Sequence, residues 1–429
     1  MNFLQKNILW ILFDRMGRLL ISFITGIIVA RQLAPELYGI FTFSNAVVSI
    51  VSFLNIGAIE AIVIWQLVRE PEAKKEILGS AFVLRLLGGI ATVLTVICIV
   101  PFLEREPSII AIVAPIIAGT TLFTAMDVGE YWLRQVLASK YGVIARQIAL
   151  IIGAGGRIWA ASSPSPLLFL ALVIALEALL VAVGLAFSLH RLGVTPWHWR
   201  VVGTRCIQLL VGAWPLLLAA AAVGLYARAG VIILGQWQGS YAVGLFSVAT
   251  IMVEATHAVP VAIMASVTPI LLAQRLTSEA KFTWAFKIWL QRIVWLGIAV
   301  CLTLFLSAPL MMSLLFGSRY DGSIAIFEIL IWSAFFVFIS VASEVWLIGY
   351  NLQRYQLPKT LLAAVVSVML NLCLAPTLGA KGTAIATLLS YSVSAFWANA
   401  LFYDTRPLFR LQVMAFVPFK FWPLMQGSR

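Results

Sequence analysis

Six arginines lie where hydrocarbon is expected: Arg15, Arg18, Arg85, Arg146, Arg157 and Arg228. Each falls inside a long apolar stretch or within about two turns of its end. A guanidinium cannot shed its charge, so such a placement is costly unless the group faces water or an anion. Its fork of N–H donors also matches paired oxygens on an anion. Six placements of this kind point to a cationic cavity between helices, and a cationic cavity suits an anionic occupant. Five of the six fall in the first half of the chain.

Carboxylates are the counterweights. Glu60, Glu177, Glu254, Glu328 and Glu344 lie in or near apolar stretches. An isolated carboxylate in lipid takes up a proton, the property on which proton coupling depends. Glu254, with His257 three residues on, is the leading candidate for a proton or ion site, followed by Glu60 and Glu344. Glu130 and Glu344 also read as pairing partners, since each stands at a helix end beside basic residues. No ligand set has metal-binding spacing. Cys98, Cys206, Cys301 and Cys373 are scattered and read as small buried apolar residues.

The elements that position these groups follow from composition. The 429 residues are 62% hydrophobic and 11% charged, with a mean hydropathy of +1.01. A soluble chain carries about 25% charged residues, so this is an all-α polytopic membrane protein. The net charge of +12 is spread singly over short loops, which argues against nucleic acid as a partner. At about 20 apolar residues per span, twelve spans are expected: 8–31, 38–64, 78–102, 107–128, 143–161, 166–189, 207–234, 241–270, 293–316, 324–349, 358–377 and 382–403. The first run holds Asp14, Arg15 and Arg18 and reads as a retained span rather than a cleaved signal. With this topology 19 of the 29 basic residues fall on one side, which places both termini in the cytoplasm. The last segment, 404–429, alternates aromatic, basic and proline residues and reads as an amphipathic tail at the cytoplasmic interface, in contact with anionic lipid.

The chain is written twice. Glu130-Tyr131-Trp132-Leu133, with Lys140-Tyr141 after it, matches Glu344-Val345-Trp346-Leu347 with Arg354-Tyr355, at an offset of 214. Both copies end an even-numbered span. A parallel repeat of six spans follows, with lobes at 1–200 and 201–403 about an axis along the membrane normal, and a V-shaped arrangement around a central cavity. At the same offset Arg157 aligns with Asn371 and Arg146 with Thr360, so the first lobe is the more cationic. Gly153, Gly155 and Gly156 serve either to kink the fifth span or to pack it, and Gly379, Gly382, Ala384 and Ala386 form a narrow packing face on the twelfth. Trp132 and Trp346 are candidates for stacking on sugars.

Several stretches are familiar. Ala30-Arg31-Gln32-Leu33-Ala34-Pro35-Glu36-Leu37-Tyr38-Gly39, Leu314-Leu315-Phe316-Gly317-Ser318-Arg319-Tyr320 and Asn371-Leu372-Cys373-Leu374-Ala375-Pro376, the last followed by Gly379-Ala380-Lys381-Gly382-Thr383-Ala384, resemble motifs of polysaccharide exporters. From about residue 7 to 403 the chain resembles the Wzx-type flippases, the O-antigen and repeat-unit translocases of the multidrug/oligosaccharidyl-lipid/polysaccharide (MOP) exporter superfamily. The resemblance implies a monomeric secondary transporter of the bacterial inner membrane. Its substrate would be an undecaprenyl-diphosphate-linked glycan, moved from the cytoplasmic to the periplasmic leaflet by alternating access. All six arginines become candidate diphosphate ligands. No cofactor is implied beyond a coupling ion, H+ or Na+, and no ATP loop is present. A polysaccharide polymerase and a chain-length regulator would be partners, besides membrane lipid. One departure is Gly230, where such proteins often carry aspartate in the seventh span; here that stretch runs Arg228-Ala229-Gly230 to Leu234-Gly235. The competing readings are a multidrug or cation antiporter of the same superfamily, a lipid II flippase, which usually has two further spans, and an integral-membrane polymerase or glycosyltransferase. Six arginines disfavour a cationic passenger, and short outward loops disfavour the enzymes.

Overall fold

The computed structural model describes residues 3–103 and 109–417. Among them the chain is helical almost throughout and forms no strand. An apolar run that meets no water must satisfy its own backbone, and a helix does so. The helices are α1 (Phe3–Gln32), α2 (Pro35–Val51), α3 (Glu60–Arg69), α4 (Lys74–Leu103), α5 (Ile110–Phe123), α6 (Val128–Gln135), α7 (Ser139–Ala161), α8 (Pro166–Arg191), α9 (Gly203–Thr256), α10 (Ala258–Thr277), α11 (Glu279–Phe316), α12 (Ile324–Gly349), α13 (Gln356–Ser392), α14 (Ala398–Leu401) and α15 (Arg406–Met414).

Nine helical stretches among the described residues are long and apolar enough to cross a membrane. Two of them, Gly203–Thr277 and Gln353–Leu401, are double. Glycines with positive φ break them, Gly239 at +79° and Gly379 at +59°, a region that L side chains avoid. Counting each side of both breaks, and adding α1, gives twelve helical passages. This is an all-α multi-pass membrane protein.

The chain forms two compact units, Met1–Arg228 and Ala229–Arg429, and their boundary falls inside α9. In the first unit the second and fourth passages are broken rather than continuous. The second leaves the α-helix at Ser52–Asn55, turns at Ile56 (φ +54°) and resumes as α3. Gly88 makes the close approach there possible, since a Cβ on it would lie 2.2 Å from the Leu54 carbonyl oxygen. Asn55 caps the break, donating to Thr124 Oγ1 at 2.7 Å. The fourth passage tightens to a 3-10 turn at Thr124–Asp127 before α6 begins. Irregular backbone is tolerated in such passages where it packs against other protein, as it does at Asn55, Ala125 and Met126, all buried. The buried core around the α3–α6 region holds Ile59, Val63, Leu67, Ile77, Leu78, Val128 and Tyr131, with Leu209 and Ala213 of α9.

The internal repeat is visible in the backbone. α6 ends in a left-handed residue, Leu137 (φ +56°), and α12 in another, Asn351 (φ +55°), again 214 residues apart. In the first, Ala138 N–H donates to the Leu133 carbonyl at 2.7 Å; in the second, Leu352 N–H donates to Leu347 at 2.7 Å. Both are the reversed helix end in which a left-handed residue lets the chain bond back across the last turn.

In the second unit, Phe282, Phe286, Trp346 and Tyr350 form one aromatic cluster, with Trp346 and Tyr350 centroids 4.4 Å apart. Trp346 is buried by that packing, so its ring is not offered to a sugar. Of the cysteines, Cys301 is buried, whereas Cys98 and Cys373 are exposed. The tail helix α15 packs onto its own unit through Leu408, Leu411 and Gln412. Residues 418–429 of the expected tail lie outside the described residues.

Candidate functional site

Two helix starts in the first unit carry three acids between them. Glu60 opens α3, Asp127 precedes α6, and Glu130 lies in the first turn of α6. Negative charge is favoured there because the first N–H groups of a helix have no partner inside it. The breaks in the second and fourth passages therefore set carboxylates within the protein, and the arginines of neighbouring helices meet them.

Asp14, on α1, is buried and shared. Arg18 reaches it at 3.0 Å from one turn along the same helix. Arg146 approaches from α7 with Nε at 3.4 Å. Gln147 donates to its Oδ1 at 3.2 Å and to its backbone carbonyl at 3.1 Å. Gly17 leaves room for the Gln147 amide, which would lie 2.7 Å from a Cβ at that position. Arg146 turns its other end to Glu130, with Nη2 at 2.6 Å. Glu130 in turn accepts from Arg134 at 2.7 Å, and Arg134 also pairs with Glu60. The chain of contacts thus runs Arg18, Asp14, Arg146, Glu130, Arg134, Glu60, and ties α1, α7, α6 and α3 together.

Arg85 of α4 joins at the α6 end. Its Nη2 lies 3.3 Å from Asp127 Oδ2, and its Nη1 donates to the Tyr131 hydroxyl. Only 6% of the Arg85 side chain is exposed, so its charge is neutralised from inside. Asp127, Glu130, Tyr131 and Arg134 recur at helical spacing on one face. Asp127 and Arg134 were not singled out as site residues from sequence. The signal was present in that spacing, but Arg134 also reads as an ordinary loop cation.

The other expected residues lie elsewhere. Arg157 of α7 is 2.9 Å from Glu177 of α8, a contact of charge with charge that lacks hydrogen-bond angles. Arg15 is exposed on α1, and Arg228 is half-buried at the end of the first unit. In the second unit, Glu254 is exposed near the end of α9, and His257 is the residue at which α9 gives way to α10. The His257 ring lies 6.5 Å from Tyr391. Glu344 is exposed on α12. Gly230 has close neighbours: a Cβ there would lie 2.9 Å from Thr383 Cγ2 and 3.2 Å from the buried Asn371 Oδ1. An acid at this position would displace one of them.

Gly153 and Gly156 of α7 are packing residues whereas Gly155 faces open space, and the helix runs unbroken across all three. Gly153 faces Glu177 and Gly156 faces Val173. On α13, Gly382 lies against the Leu374 carbonyl oxygen, where a Cβ would come within 2.3 Å, so it serves the sharp turn at Gly379.

Residues 4–274, which carry the whole arginine–carboxylate chain, match the family described as polysaccharide biosynthesis protein. The chain belongs to that family. Solved structures add the fold. An inward-facing multidrug resistance MATE family transporter of the MOP superfamily is 15% identical, with a TM-score of 0.67 over 99% of this chain and 100% of that one. The lipid II flippase MurJ in an inward closed conformation is 13% identical, with a TM-score of 0.71 over 98% and 95%. A Vibrio cholerae MATE transporter, VcmN, is 13% identical at 0.60 over 97% and 98%. The polysaccharide biosynthesis chain therefore has the fold of these membrane proteins. No curated protein sequence matches it.

Proposed function

We propose that the protein is a flippase of the bacterial inner membrane, with both termini in the cytoplasm. It moves an undecaprenyl-diphosphate-linked oligosaccharide to the outer leaflet by alternating access, and it is not an enzyme. Membership of the polysaccharide biosynthesis family and a fold shared with a lipid II flippase support this reading. One observation carries the site: Arg15 and Arg18 are both exposed, three residues apart on α1, at the edge of a chain whose deeper arginines already have carboxylates.

At 3.6 residues per turn these two side chains are roughly 60° apart around the helix, on one side of the buried Asp14. Arg18 is 46% exposed and Arg146 15%. A diphosphate arriving at Arg15 and Arg18 competes with Asp14 for the donors of Arg18. At Arg18 binding is thus an exchange of one anion for another, with the carboxylate holding that arginine in place between cycles. Such exchange keeps the charge paired at each stage, which a low-dielectric setting requires. Arg85 and Arg146 act in this scheme by holding α4, α6 and α7 against α1, and Arg228 is the remaining candidate ligand. The coupling ion, proton or sodium, would act through Glu254 and His257, Glu60 or Glu344.

The test is transport of a polyprenyl-diphosphate-linked sugar in proteoliposomes. Arg15→Ala/Arg18→Ala should abolish transport with the protein level unchanged, and Lys at both positions should restore part of it, because charge survives while the fork is lost. Asp14→Asn should tighten substrate retention and slow turnover. Normal transport by the double alanine variant would overturn the assignment.

A further inference from the structure

The second unit contains an apolar groove of about 500 Å3. Its walls include Ile298 of α11, Trp332 and Phe336 of α12, Leu389 of α13, Trp397 of the π-helical turn that follows, and Phe416 beyond α15. The polar side chain in the wall is Ser392, and its hydroxyl is already bonded to the Leu389 carbonyl at 2.7 Å. Apart from this hydroxyl and the indole N–H groups of Trp332 and Trp397 the wall is apolar, too poor in polar groups to hold an ordered water by several bonds, so hydrocarbon is the matching occupant. The groove runs lengthwise: Leu388 and Trp397 both line it, about 13 Å apart at 1.5 Å per residue. Its volume and length suit one long alkyl chain lying along the helices.

The end of the groove near the tail is basic. Phe409 packs on Trp397 with centroids 6.2 Å apart, and Arg410 is the next residue, exposed. Arg406 lies one turn earlier, over the Tyr403 ring at 5.8 Å. On the α11 side, Gln291 donates to the Val417 carbonyl at 2.5 Å, directly after the groove residue Phe416. Its neighbour Arg292 lies over the Trp289 ring at 5.0 Å. Among the described residues, none of Arg292, Arg406 and Arg410 has a carboxylate partner. The tail is fixed here by a buried amide set, with Gln412 donating to Ser343 at 2.8 Å and to the Ala395 carbonyl at 2.9 Å, and accepting from Asn399 at 3.1 Å. A rigid groove end carrying three arginines without carboxylate partners, Arg406 donating to the Ala400 carbonyl at 3.2 Å, fits a negatively charged headgroup.

We propose that this groove is a resident site for an anionic glycerophospholipid, with one acyl chain between α11, α12 and α13 and its phosphate at Arg292 and Arg410. The site does not depend on what the protein transports.

Native mass spectrometry tests it. Full-length protein is reconstituted in nanodiscs of equal parts phosphatidylglycerol and phosphatidylcholine, then released. It should retain one phosphatidylglycerol per chain, with a preference of about thirtyfold over phosphatidylcholine, as expected for two arginines at a membrane surface. Arg292→Gln/Arg410→Gln, both exposed, should abolish the preference. Leu389→Trp should fill the groove and lower total retained lipid, with monodispersity on gel filtration as its folding control. Equal retention of the two lipids by the wild type overturns the proposal, as does unchanged retention in both variants. Displacement of phosphatidylglycerol by equimolar undecaprenyl phosphate would assign the groove to a polyprenyl tail and also overturn it. Each of these results leaves the transport assay at Arg15 and Arg18 untouched, so the two readings fail separately.

Discussion

Gly153 makes room for the carboxylate of Glu177: a Cβ at position 153 would lie 2.1 Å from Glu177 Oε2. One turn further along α7, Arg157 meets that same oxygen at 2.9 Å. The missing side chain thus allows a carboxylate from α8 to reach an arginine inside the bundle. Gly153→Ala should push Glu177 away and leave Arg157 unpaired, lowering stability by about 3 kcal/mol. Gly155→Ala is the matched control, because its Cβ meets nothing within 4 Å. It should stabilise by up to about 1 kcal/mol through helix propensity alone. Thermal unfolding of the two variants in one detergent checks both signs.

The Arg85–Asp127 pair calls for a double-mutant cycle. With the Arg85 side chain 6% exposed, Asp127→Leu leaves a buried cation without its counterion, and Arg85→Met leaves the anion. Each single change should cost about 3–5 kcal/mol, whereas the double variant should recover most of the loss. Denaturant or thermal unfolding gives the coupling. A double variant that is stable but does not transport would show that the pair serves movement as well as structure; additive losses would mean that the two charges are not coupled.

The membrane fold was legible because hydropathy is a signal spread over some twenty residues, and a misplaced end does not erase it. The breaks were harder to read. The 3-10 turns at Ser52–Asn55 and Thr124–Asp127 occur in apolar text, and nothing in their composition separates them from continuous helix. The anomaly of charged arginines was plain, but their partners were not. Asp14 and Arg146 are 132 residues apart, and Arg134 and Glu60 are 74 apart. Pairing across such separations follows from packing, which one sequence does not display. Asp127 illustrates the difficulty: beside a glutamate at the end of a span it reads as a boundary residue, and only the approach of α4 turns it into the counterion of Arg85. Gly153 is similar, because α7 supplies the gap and α8 the group that fills it.

The repeat makes its own prediction at Leu137 and Asn351. Both hold a left-handed backbone, at φ +56° and +55°. Asparagine tolerates that conformation through local hydrogen bonding, and leucine does not. Leu137→Asn should therefore stabilise the protein by about 1 kcal/mol, and Asn351→Leu should destabilise it by a similar amount. Both side chains are exposed, so little packing is lost in either exchange. Melting temperatures that move in opposite directions would confirm that the same reversed helix end is built at both places.

The last expectation concerns acid. Asp404 accepts hydrogen bonds from the Tyr355 hydroxyl at 2.6 Å and from Arg354 at 2.8 Å, joining the tail to the turn after α12. These bonds favour the charged carboxylate and hold its pKa below the ordinary aspartate value. A carboxyl group depressed on folding contributes stability that is fully present above its unfolded pKa, about 4, and is lost as pH falls through the folded value. The wild type should therefore exceed Asp404→Asn in melting temperature by a constant margin from neutral pH down to about pH 4, and the margin should close below it. Tyr355→Phe removes the larger cause of the shift, so in that background the margin should be smaller and its closure, beginning at the same pH, should be complete at higher pH. Glu70, held down by Arg205, should follow the same pattern. A margin that widens on acidification would mean that the bonds to Asp404 favour its protonated form.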